Sequence, residues 1–138
     1  MSDIASSVLT GADRQTLQVA AHGVVALMAA SDPGPISSTR AGMAGGNALA
    51  SATGLVGHVL AEKPEGIKAA FNGKSVADLA DTVFPALASS VRVLREKAPA
   101  EAKNFKSTIG VIASSAAGKN PSPAQTAMIE KITAALNA

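Results

Sequence analysis

Apolar residues recur at helical spacing along most of the chain, and no stretch shows the alternation of a strand. Leu17, Val24, Leu27 and Met28, with Ala20 and Ala21 between them, form one face of a helix expected over about 12–30. Arg14, Gln15, Gln18 and His22 share its wetter side. Val76, Leu79, Val83, Leu87, Val91 and Leu94 hold the same spacing over about five turns. Phe105, Ile109, Val111 and Ile112 mark another helix, and Met128, Ile129, Ile132 and Leu136 the last.

The middle of this pattern is unusual. From Ala41 to Ala61 the chain has no Asp, Glu, Lys or Arg, and it carries Gly42, Gly45, Gly46, Gly54 and Gly57. A helix this poor in charge cannot face water all round. Its small residues let neighbouring backbones come close. It is therefore expected to be the central helix of a bundle, capped by Ser37 or Ser38 and ending near Ala61. At about 100° per residue, Arg40, Asn47, Ser51, Gly54 and His58 fall in one narrow stripe of that helix. Leu49, Val56 and Leu60 lie opposite. The polar row either faces solvent or lines a pocket or subunit interface.

Turn and cap residues punctuate the pattern. Thr10 with Asp13 three residues on resembles a capping box. The SDPGP run at Ser31–Pro35 stops the first helix. Pro64 can open a short piece to Phe71, closed by Asn72-Gly73. Ser75 with Asp78 opens the next helix, in which Pro85 should cause a kink or a split. Pro99 can occupy the first turn of a helix ended by Gly118-Lys119-Asn120. Ser122-Pro123-Ala124-Gln125 puts Ser at N-cap, Pro at N1 and Gln at N3 of the last helix. The expectation is an all-α, single-domain bundle of five to six helices over 1–138, around the Gly/Ala-rich central helix, with 1–9 a loose lead-in. The runs Val24–Met43 and Ile109–Met128 align without gaps, mainly in pattern: helix, turn, Ser cap, helix.

Composition narrows the function classes. Apolar residues make up 47% of the 138 residues, which suits a folded chain with a real core. Three Phe with no Trp or Tyr leave few aromatic anchors for a large partner surface. Net charge is +2, from 12 basic and 10 acidic residues spread along the chain, too dispersed for a nucleic-acid reader. With no Cys there is no thiolate chemistry, and the cytoplasm is the expected location. The N-terminus lacks the basic n-region of a signal peptide. The uncharged run is long enough to span a bilayer, but Asn47, Ser51, Thr53, His58 and five Gly give it low hydropathy, so no span is expected.

The segments MAASDPGPISSTR (Met28–Arg40) and ASSAAGKNPSPAQTAMIEKITAAL (Ala113–Leu136) resemble the TerB-like family of helical-bundle proteins from tellurite-resistance and stress operons. The resemblance implies an all-helical fold and an accessory role. The family's acidic turns bind metal, but here only Asp32 remains in the first turn and Lys119-Asn120 stand in the second. Arg40 and Gln125 replace the family's Glu positions. The metal site is therefore not carried over.

Candidate chemistry is sparse. Two His stand far apart, and Asp78 and Asp81 are the closest approach to a carboxylate pair, with Asp78 already used as a cap partner. No phosphate loop, dinucleotide fingerprint or nucleophile elbow occurs, so no metal or cofactor is expected. What remains is His22, Arg40, Asn47, Ser51 and His58 on apolar helices. A histidine suits acid/base work near neutrality, so His58 and His22 are the catalytic candidates. Arg40, in a first turn where a cation opposes the helix dipole, could hold an anionic group, with Asn47 and Ser51 beside it. Two functions compete. One is a non-enzymatic interaction protein that forms a homodimer through its Gly/Ala-rich face. The other is a small tailoring enzyme or carrier with a small-molecule or peptide ligand in a pocket lined by Arg40, Asn47 and His58.

Overall fold

A computed structural model describes residues 8–31, 35–62, 66–67, 71 and 74–138, with the backbone alone at 35–38. Six helices are described: α1 (Gly11–Ala30), α2 (Pro35–Ala50), α3 (Gly54–Ala61), α4 (Val76–Lys97), α5 (Pro99–Ala117) and α6 (Pro123–Leu136). No strand occurs among the described residues. The expected short piece from Pro64 to Phe71 is described only at 66–67 and 71, and its Asn72-Gly73 stop and the Asp32 turn lie outside the described residues.

The ends of the helices follow from local chemistry. Thr10 Oγ1 accepts from the Asp13 N–H while the Asp13 carboxylate accepts from the Thr10 N–H, 3.0 Å each way. Ser122 and Gln125 repeat this exchange at the start of α6, at 3.2 and 3.1 Å. Ser75 accepts from the Asp78 N–H at the start of α4. Each box satisfies amides that the helix itself cannot. Pro99 stands at the start of α5, and Gly118 ends that helix at φ 74, a conformation that favours glycine.

Two expectations are corrected here. α2 begins at Pro35, so Ser37 and Ser38 lie within its first turn rather than capping it. A proline is well placed there because its missing N–H would have no helical partner. Of the kink or split expected at Pro85, the split does not occur, and α4 runs through 76–97 as one helix. The proline is exposed, so it breaks the hydrogen-bond ladder on the solvent side while Leu79, Val83, Leu87, Val91 and Leu94 keep one buried face.

The core sits among α1, α4 and α5. Phe105, Leu17, Leu27, Met28, Leu87, Ile109 and Ile112 are fully buried. α1 and α4 run antiparallel in the most extensive helix pair. The Asp13 carboxylate meets the Lys97 ammonium at one end. Further along, Gly23 faces Val83 so closely that an added Cβ would lie 2.3 Å from Val83 Cγ2. Leu9, expected within a loose lead-in, is 1% exposed and belongs to this core. Among the described residues no helix is long and apolar enough to cross a membrane.

Candidate functional site

α2 and α5 form the least conventional part of the surface. They run antiparallel: Arg40 near the start of α2 lies against Gly118 at the end of α5, while Thr53, just past α2, meets Asn104 early in α5. Gly45 lets the helices close up, since a Cβ there would already touch Val25 and Ala116. Neither 41–61 nor 107–118 contains Asp, Glu, Lys or Arg. Met43 on α2 is 65% exposed and Val111 on α5 is 56% exposed. At about 100° per residue Val111 stands on the side of α5 away from the buried Phe105, Ile109 and Ile112. A Cβ added at Gly46 or Gly110 would meet nothing within 4 Å, so no contact within the chain requires a glycine at either position.

Between the two helices lies a shallow groove of about 400 Å³. Ala48, Ala52 and Val111 supply apolar surface, and Ser51, Thr53, Asn104, Ser107, Thr108 and Ser115 supply polar groups. Ser51 Oγ already donates to the Asn47 carbonyl at 3.0 Å. The groove can hold a neutral group of mixed polarity and offers no ionised side chain to a charged one.

The segment expected to be one central helix is two. α2 ends at Ala50 and α3 starts at Gly54, whose φ of 74 breaks the helical path. The polar stripe is therefore divided. Asn47 and Ser51 are exposed at the end of α2, and His58 is exposed in the last turn of α3. Of the candidates, Ser51 alone lines the groove; Arg40, Asn47 and His58 do not. Arg40 is exposed, and its guanidinium fills the space that a side chain at Gly118 would take. A cation there complements the carboxyl end of α5, which answers its unfavourable place in the first turns of α2. His22 is half-buried on α1, away from the groove.

Sequence reasoning missed Glu101 and Asn104. Glu101 Oε1 accepts from the Val56 N–H at 3.1 Å, and Asn104 Nδ2 donates to the Thr53 carbonyl at 2.9 Å. Both reach from α5 to the junction of α2 and α3. Their helical spacing of three residues is visible in the sequence, but nothing there names their target. Gln18, expected on a wet face, is buried, and its Nε2 donates to the carbonyls of Val59 and Glu62 at 3.0 and 3.3 Å.

A second concavity, about 440 Å³, is lined by Phe71, Lys74, Asp78, Leu79, Asp81 and Thr82. It brings Asp78 and Asp81 to one surface beside a lysine. Among the described residues no group of three or more His, Cys, Asp or Glu comes together. No protein-family model, curated protein or solved structure matches the chain.

Proposed function

We propose that the protein is a non-enzymatic interaction protein of accessory, stress-type character that acts through the outer surfaces of α2 and α5, with a second copy of itself as partner. One observation carries this reading. Met43 and Val111, the exposed large hydrophobics among the described residues, sit on the two adjoining helices whose outward surface lacks acidic and basic residues over 41–61 and 107–118. An uncharged surface suits a copy of itself, because an isologous contact places like against like. Open glycines at Gly46 and Gly110 allow close backbone approach. The TerB-like resemblance supports the accessory character, the lack of cysteine supports the cytoplasmic setting, and nothing in the reading calls for a cofactor.

Sedimentation equilibrium tests it. Wild type should self-associate, and Met43→Glu with Val111→Glu should raise the dissociation constant at least about tenfold, or about 1.4 kcal/mol, with the helical circular dichroism unchanged. A wild type that stays monomeric at every concentration sinks the proposal.

The groove favours a second reading, in which a small neutral or peptidic molecule binds beside Ser51. On that reading Ser115→Leu, which fills the groove, abolishes the shift changes seen by NMR with a neutral fragment library. Asn47→Ala and His58→Ala test the histidine chemistry expected from the sequence: if both leave binding and turnover intact, that chemistry is excluded.

A further inference from the structure

We propose that the second copy docks reciprocally, about a two-fold axis that crosses α2 at Asn47, so that Met43 of each copy enters the other's groove beside Ser51. This geometry rests on the self-association proposed above.

Met43, Asn47 and Ser51 stand four residues apart and are all exposed. They form one ridge along α2, of the kind through which helices pack on one another. Ser51 follows the last residue of α2, but its Oγ bonds the Asn47 carbonyl at 3.0 Å and keeps it one turn on. Asn47 is the middle of the ridge, about 6 Å along the helix from either end at about 1.5 Å per residue. In a two-fold contact each pairing of different residues occurs twice. An axis at Asn47 therefore sets Met43 against the partner's Ser51, and Ser51 against the partner's Met43. Ser51 borders the groove of about 400 Å³ together with Ala48, Ala52 and Val111. An unbranched, flexible methionine suits such an irregular, uncharged hollow. Asn47 itself meets its own copy, and a side-chain amide carries both the donor and the acceptor that this pairing needs.

Charge supports the same axis. The α2/α5 face is basic at one end and acidic at the other. Arg40 lies against Gly118, which exposed Lys119 follows. At the opposite end Glu101, whose Oε1 caps α3 through the Val56 N–H, stands beside Gly54. Lys103, two residues on, points to the other side of α5. An antiparallel overlay about Asn47 brings each Arg40 to the end that holds the partner's Glu101, cation toward anion. A parallel overlay would stack the two Arg40 ends on each other.

Size sets the strength. α2 has 16 residues. Two such helices side by side offer a face of roughly 24 by 20 Å, or about 500 Å² per copy. Standard interfaces bury about 800 Å² per partner, so this contact is a weak one whose copies exchange.

The test is disulfide trapping. The chain has no cysteine, so single substitutions at exposed positions report contacts directly. Asn47→Cys should form an interchain disulfide at least about tenfold faster than Lys131→Cys on α6, because bridging needs Cα atoms within about 7 Å. Met43→Cys mixed with Ser51→Cys should give more mixed dimer than either variant gives of its own dimer. Arg40→Glu should raise the dissociation constant about tenfold. A chain that stays monomeric at every concentration overturns both the self-association and this geometry. A chain that associates while Asn47→Cys crosslinks no faster than Lys131→Cys, or while Arg40→Glu binds as tightly as wild type, overturns this geometry and leaves the self-association standing.

Discussion

The α1/α4 pair and the α2/α5 pair are both antiparallel and both rely on a glycine for close approach. They use it differently. In α1/α4 the glycine faces inward, where Val83 fills the space over Gly23, and long aliphatic side chains bury the rest of the seam. In α2/α5, Gly45 does similar work against Val25 and Ala116, but Gly46 and Gly110 face out. The first pair is saturated by its own chain. The second carries small residues beyond what its internal packing uses, together with exposed Met43 and Val111. A glycine in a helix interior costs roughly 1 kcal/mol relative to alanine. Inside α1 that cost is offset by contact with Val83. On the outer surface of α2 and α5 no contact within 4 Å of Gly46 or Gly110 offsets it.

The largest expected effect lies in the saturated pair. Leu87→Ala should lower unfolding free energy by about 2–5 kcal/mol in urea, because the fully buried side chain leaves a cavity. If the loss is under about 1 kcal/mol, the seam collapses easily and the contrast with α2/α5 weakens. Next in size is a pair of matched substitutions. Gly23→Ala should destabilise by about 1–3 kcal/mol, since Val83 has to move. Gly46→Ala should leave the monomer unchanged or stabilise it by up to about 1 kcal/mol while weakening self-association. Opposite signs in denaturation would confirm the contrast, and equal signs would erase it.

The smallest effect is electrostatic and belongs to the edge of α1/α4. The hydrogen bond from Lys97, followed by that from the Thr10 N–H, holds the Asp13 carboxyl below its ordinary value of 3.8. A depressed carboxyl stabilises the fold above the unfolded pKa, and that contribution is lost as pH falls through the folded one. Acid titration below about pH 4 should therefore cost wild type more than Asp13→Asn, and added salt should shrink the difference. The pair is exposed enough that the gap is small.

Helix ends governed by adjacent residues are legible in the sequence. Thr10, Ser75, Ser122, Pro99 and Gly118 act where their spacing predicts, because each bond partner lies within a few residues. The all-helical bundle follows from the same periodicities. The break after α2 is marked in the sequence only by Gly54 and Gly57, two glycines among five in 41–61, and the groups that clasp it sit on α5, out of reach of any local pattern. Arg40 stands out in the sequence for the right physical reason, a cation at the wrong end of its helix. Its resolution against Gly118 is a tertiary contact that spacing along the chain cannot show. For the same reason the stripe of Arg40, Asn47, Ser51 and His58 holds only on one straight cylinder, and the structure divides it between two helices. Gln18 looks solvated in the sequence because its partners are carbonyls on α3, far along the chain.

The cap on α3 has a consequence for the order in which the chain is made. Synthesis runs from the N-terminus, so residues 41–61 leave the ribosome before Glu101 and Asn104 exist. During that interval Gly54 and Gly57 already permit the bend and Gln18 is already present, but the carboxylate that caps Val56 is missing. The cap on α3 is thus completed late, by α5, on a segment that precedes it in the chain.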